Sequence, residues 1–200
     1  MFRKGAPTVP NAAIFLQSTV GVALLYALTL YFQEVLGYGP VVAGLLFLPM
    51  TLASVTAAPL AGGLATRLGT GRTAALGTAG IVGGLLLMTA VSGEGTLPVV
   101  LAGTVVGEAG FMLSNVSLTI AGSGEGDERG LAGLLNTSIQ LGNAWGLAVV
   151  ATLAAAATGP LAEGLRVGLL TCAAFALAAL PLALLGLPRN GPSEAYGDGA

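Results

Sequence analysis

The chemistry this sequence can support centres on one carboxyl. Between Gly95 and Gly124 the chain carries no charge except Glu108. A charge in the middle of so long an apolar run costs about 3 kcal/mol to place in hydrocarbon. A carboxyl under that penalty takes one of two roles: it picks up and releases a proton, or it stays neutral and hydrogen-bonds to its neighbours. Other polar groups recur around it at helical spacing. At about 100° per residue, Asn136, Gln140 and Asn143 share one narrow stripe, and Thr104, Glu108, Asn115 and Thr119 share another. Thr19, Tyr26, Thr29 and Gln33 form a looser stripe, and Thr51, Ser54 and Thr56 lie near Pro49 and Pro59, which can kink a helix. Such stripes either line a watery cavity or tie helices together by hydrogen bonds. Three carboxamides on one stripe favour the cavity, whereas isolated Ser and Thr favour the ties.

What is missing narrows the chemistry further. The chain has no His, which removes His-ligated metal sites, Ser-His-Asp triads and Cys-His nucleophile pairs. Cys172 is the only cysteine, so no intrachain disulfide forms and its expected role is that of a small apolar residue. No cofactor, metal site or enzyme activity is expected. The net charge of −2 argues against a nucleic-acid partner.

The elements that must position these groups follow from composition. Apolar residues make up 54% of the chain and charged residues only 8%, where a soluble domain carries about 25% charged. A chain solvated by lipid needs no charged coat. A helix crosses the hydrocarbon core with about 20 apolar residues, and the charges divide this chain into six such lengths. The expected helices are 11–36, 40–64, 73–91, 97–121, 131–158 and 165–187, together a membrane domain over 1–188. Gly37 to Gly39, Gly69 to Gly71, Ser92 to Gly95, Gly122 to Gly130 and Gly159-Pro160 supply the breaks. The polar, Gly-rich tail 189–200 is expected to be a disordered cytoplasmic segment. Gly80 and Gly84, Gly103 and Gly107, and Gly142 and Gly146 are small-xxx-small pairs that let helices approach closely.

Six crossings place Arg3, Lys4, Arg67, Arg72, Arg129 and Arg189 on one side and Arg166 alone on the other. Basic residues collect in the cytoplasm. The expectation is a multi-pass protein of the cell inner (cytoplasmic) membrane with both termini cytoplasmic. The first apolar run is too long for a signal peptide and reads as a retained helix.

Three stretches carry a family resemblance. LTLYFQEVLGYGPVVAGLLFLPMTLAS (Leu28 to Ser54) resembles the first two helices of the C-terminal domain of 14-helix drug:proton antiporters of the major facilitator superfamily. ERGLAGLLNTSIQLGNAWGLAVVATLA (Glu128 to Ala154) resembles their penultimate helix with its preceding loop. GGLATRLGTGR is similar to the superfamily's cytoplasmic loop signature, with Gly62, Arg67, Gly69 and Arg72 matching in type and Thr66 standing at the acidic position. The resemblance implies an all-α fold forming half of such a transporter, in which the first, second, fourth and fifth helices line the central cavity. The third and sixth then lie outside, and here those two hold little polarity beyond Thr78, Thr89, Thr171 and Cys172.

The resemblance implies proton-coupled efflux of drugs or other small amphipathic molecules by alternating access. Tyr26, Thr29, Gln33, Thr104, Asn115, Asn136, Gln140 and Asn143 are then the cavity-lining candidates. Glu108 as the proton-coupling group rests on its place in the helix alone, because relatives carry an apolar or small residue there. The expected partners are the lipid bilayer, a small-molecule substrate, and a second six-helix half or a second copy of the chain. The competing expectation is a truncated, non-transporting membrane protein or an assembly partner for another half-transporter.

Overall fold

A computed structural model describes residues 8–90, 94–122, 128–156 and 159–186. The opening residues, the middle of the loop after Gly122 and the tail 189–200 lie outside the described residues. All the long elements are helices: α1 (Thr8–Leu30), α2 (Pro40–Leu46), α3 (Leu48–Leu68), α4 (Thr70–Met88), α5 (Leu97–Gly122), α6 (Glu128–Ala156) and α7 (Leu161–Gly186). They make six spans long and apolar enough to cross a membrane, with α2 and α3 sharing the span Pro40–Leu68. Helices suit such sequences because each backbone N–H finds its acceptor within the segment, where hydrocarbon offers none.

The spans depart from plain helices where the sequence forces it. Pro49 lacks the N–H that a continuous helix would use, so the second span breaks at Phe47 and restarts with Pro49 in its first turn. Pro59, by contrast, sits inside α3 without ending it. The first span ends in a π-helical turn, Tyr31–Val35, closed by the Leu36 N–H donating to the Tyr31 carbonyl at 3.0 Å. The break expected over Gly69 to Gly71 narrows to Gly69 alone. Its φ of +84° is open to glycine and strained for other residues, which lets α3 turn into α4 in one residue.

Packing sets α1 at the centre. In its membrane-length window 56% of residues are buried, against 17% for Pro40–Leu68 and 22% for Gly133–Ala156. Helix α1 packs on α5, α6 and α7, while α4 is flanked by α5 and α7 and α3 leans on α5. Helices α3 and α6 therefore lie on the flanks. One apolar cluster, including Leu28, Tyr31, Phe32, Leu85, Met88 and Leu169, fills one end of the bundle. A smaller one around Ile14, Ala74, Leu118 and Leu135 fills the end nearer Gly69. At the first end the Tyr31 and Thr96 hydroxyls lie 2.9 Å apart, tying the end of α1 to the start of α5.

Candidate functional site

Glu108 sits on α5, 9% exposed, inside the bundle. Its Oε1 accepts a hydrogen bond from the Ser54 hydroxyl of α3. Ser54 continues the row of Ala57, Ala61 and Ala65, the small buried residues by which α3 approaches α5. Glu108 also lines a small cavity of about 10 Å³. The walls there are hydrocarbon: Gly21 and Leu24 from α1, Ile81, Leu85 and Met88 from α4, and Phe111 from α5. A cavity of that size holds roughly one water, and holds it only with two or more polar partners.

A second polar group lies deeper and was not singled out from the sequence. Gln17 of α1 is 1% exposed. Its Nε2 donates to the Phe111 carbonyl at 3.1 Å, and its Oε1 accepts from the Ser114 hydroxyl at 2.7 Å. The Thr78 hydroxyl of α4 lies 3.3 Å from that of Ser114, so the chain of contacts joins α1, α5 and α4. The signal was available: a carboxamide within an apolar run must find partners. It falls about 160° around the helix from Thr19, outside the stripe that periodicity selects.

The cavity-lining candidates divide. Asn143 and Phe111 converge on Gly21, where an added Cβ would lie 3.8 Å from the Asn143 Oδ1 and 3.5 Å from the Phe111 ring. Asn136 and Gln140 stand exposed on α6, and Asn115 is half-buried on α5. Tyr26, Thr29 and Gln33 are half-buried toward the end of the first span, with the Thr29 hydroxyl donated back to the Leu25 carbonyl. Thr104 is buried, and its hydroxyl donates to the Leu101 carbonyl. Helix α6 also carries Trp145, 50% exposed, its ring 6.4 Å from Phe15 and 5.3 Å from Phe175.

The loop-signature residues gather at the α3–α4 corner. Arg67 and Arg72 are exposed on either side of it, Gly62 is half-buried a turn and a half earlier, and Gly69 is buried at the corner itself. The Gly69 carbonyl accepts the Thr73 N–H at 3.2 Å and the Thr73 hydroxyl at 3.0 Å, which fixes the first turn of α4.

No family model matches the chain. It is 29% identical over 169 residues to a tetracenomycin C resistance and export protein of Streptomyces glaucescens, a match covering 80% of this chain and 30% of that protein. Its fold is similar to that of a peptide transporter, POT, solved as a mutant in complex with sulfate. The TM-score is 0.67 at 22% identity, over 94% of this chain and 41% of that one. The chain thus spans well under half the length of either protein. Among the described residues the fold is all-α, with six helices long and apolar enough to cross a membrane, arranged like the part of the peptide transporter that the chain matches.

Proposed function

We propose that the chain is one half of a secondary active transporter that exports drugs or other small amphipathic molecules by alternating access, driven by proton exchange at Glu108. The observation that carries this reading is the place of Glu108: a lone carboxyl near the middle of a membrane span, hydrogen-bonded across two helices and otherwise walled by hydrocarbon. In such a setting the charged form is costly, and binding or losing a proton is the cheapest way for the site to respond to the two sides of a membrane. The exporter likeness supports the direction of transport and the class of substrate. The basic corner at Arg67 and Arg72 supports a cytoplasmic α3–α4 turn, hence cytoplasmic termini in the inner membrane.

The flank helices support an assembly. Exposed carboxamides at Asn136 and Gln140 on α6 are unfavourable against lipid chains, whereas the exposed Thr51 and Thr56 hydroxyls of α3 donate to the Phe47 and Leu52 carbonyls of their own span. A second six-helix half, or a second copy of this chain, set across these two flanks encloses them around a watery path through which the substrate moves. On this reading residues 1–188 are the half-transporter and 189–200 a cytoplasmic tail.

The test is Glu108→Gln, which keeps size and hydrogen bonding and removes the titratable group. In everted membrane vesicles containing the chain and its partner half, the variant should accumulate normally yet lose proton-driven uptake of the exported compound. Full pH-dependent transport by Glu108→Gln overturns the reading. Absence of transport from the wild-type chain with every partner supplied favours a non-transporting assembly component instead.

A further inference from the structure

The two settings that Glu108 touches are chemically unlike, and the difference assigns a role to Ser54. Glu108 shares a small cavity with residues of α1 and α4, and the other side chains lining it are apolar. Glu108 is the single titratable or charged group in that wall; α1, α4 and the rest of α5 add none to it. With Glu108 as the only polar side chain among its lining residues, the cavity is a poorer route for a proton than the side of Ser54. Toward α3 the carboxyl meets the Ser54 hydroxyl, and Ser54 is itself half-buried, at the boundary between the bundle interior and the outer surface of the flank helix.

We infer that Ser54 is the positioning residue of the proton site: its hydroxyl holds the ionised carboxylate of Glu108 toward the α3 side, and the proton arrives and leaves past it. The inference rests on the reading of Glu108 as the proton carrier and adds the residue that sets the pH at which the exchange occurs. Protonation forms one O–H bond on a Glu108 oxygen and breaks one in the hydronium that delivers it. Ser54 keeps its own hydrogen throughout; only the charge on its acceptor changes. A hydroxyl donor favours the carboxylate over the neutral acid. Because the donor is on α3 and the acceptor on α5, a shift of the flank helix against α5 breaks the bond and changes how tightly the proton is held. Proton binding and helix movement are thereby linked through a single hydrogen bond.

Labelling by an apolar carbodiimide, which modifies buried carboxyls in their protonated form, reads this directly in membranes containing the full chain. The adduct on the α5 peptide is followed against pH by mass spectrometry, with Glu108→Gln as the blank. Ser54→Ala removes the donor, so Glu108 should keep its proton to higher pH and the labelling midpoint should move up by about one pH unit. Ser54→Thr retains a hydroxyl and should restore the wild-type profile. If Ser54→Ala fails to accumulate, Ser54→Cys, a weak donor of similar size, should move the midpoint in the same direction by less. A profile that superimposes on wild type in Ser54→Ala overturns the inference. So does an equal shift in Ser54→Thr, since packing rather than the hydroxyl would then be the cause. Labelling needs no transport, so a Glu108→Gln chain that still exports in a pH-dependent way overturns the transporter mechanism separately from this result.

Discussion

Gly84 of α4 crosses Gly107 of α5 backbone to backbone: a Cβ built on Gly84 would stand 2.5 Å from the Gly107 Cα and 2.6 Å from the Gly103 carbonyl oxygen. Gly77 and Gly110 make equally close approaches along the same seam. Without side chains between them the two helices gain dispersion contacts along their whole length, the main attraction available where lipid is as apolar as the protein. This seam holds α5, and therefore Glu108, at a fixed depth against α4.

Gly84→Ala should accordingly destabilise the bundle by about 1–3 kcal/mol, the usual cost of forcing a group into a filled core. Its neighbour supplies the control. A Cβ on Gly83 meets nothing within 4 Å, so Gly83→Ala should be neutral or slightly stabilising through helix propensity. Thermal aggregation of the detergent-solubilised chain measures both. Equal midpoints for the two variants would show that the α4–α5 crossing is looser than described.

Gln17 makes the second stability test. Gln17→Ala removes the groups that bond Ser114 and the Phe111 carbonyl, and should cost about 1 kcal/mol, the ordinary scale for a polar contact inside a membrane bundle. Thr78→Ala should cost less, because that hydroxyl already donates to the Ala74 carbonyl at 2.8 Å and lies only at the edge of the Ser114 contact. The same melting assay ranks them; a larger loss at Thr78 would contradict the assigned network.

The number of spans was legible because hydrocarbon imposes a length on any uncharged run, and the charges of this chain fall at the ends of such runs, Glu108 apart. The close helix pairs were legible too: Gly80 and Gly84 face Gly103, Gly107 and Gly110, and Gly142 and Gly146 lie against the Phe15 and Thr19 carbonyls of α1. The partners of polar side chains were not. Periodicity says which residues share a face of one helix, and nothing of which neighbour covers that face. Thr104 and Glu108 share a stripe, yet one bonds its own backbone and the other reaches across to Ser54. Gln17 lies off the α1 stripe and makes its best interhelical contacts. The π-helical turn at Tyr31–Val35 likewise has no signature in the sequence: Tyr31, Phe32 and Val35 continue the apolar run, and Gln33 and Glu34 mark only the approaching end of the span.

Orientation makes a prediction at the exposed corners. On a Cys172→Ala background, Arg67→Cys, at the α3 end of the one-residue turn, should react with an impermeant maleimide only when the cytoplasmic face is accessible. Glu34→Cys, exposed in the π-helical turn at the opposite end of the bundle, should react only from the other face. The reverse pattern would invert the chain in the membrane and place the basic corner outside.

Helix α6 offers the sharpest test of a watery path, because it exposes two unlike faces. Leu135, Gly142, Gly146 and Val150 form its buried ridge, with Gly142 and Gly146 against α1. Asn136 and Gln140 are exposed beside that ridge, while exposed Leu134, Leu141 and Trp145 lie roughly 140–180° around the helix from Asn136 at about 100° per residue. Hydrocarbon suits the second face and penalises the first. If the first face borders an aqueous path between two halves, cysteines at Asn136 and Gln140 ionise and react with a polar maleimide, whereas cysteines at Leu134 and Leu141 stay protonated in lipid and do not. With the partner half present, the rate at Gln140 should exceed that at Leu141 by at least about tenfold, since the thiolate is the reacting species and an apolar setting suppresses it. Adding a transported compound in excess should slow the reaction at Gln140 and leave Leu141 unchanged. Equal protection of both faces would mean that α6 is sealed on its carboxamide side by direct protein contact, with no aqueous route along it.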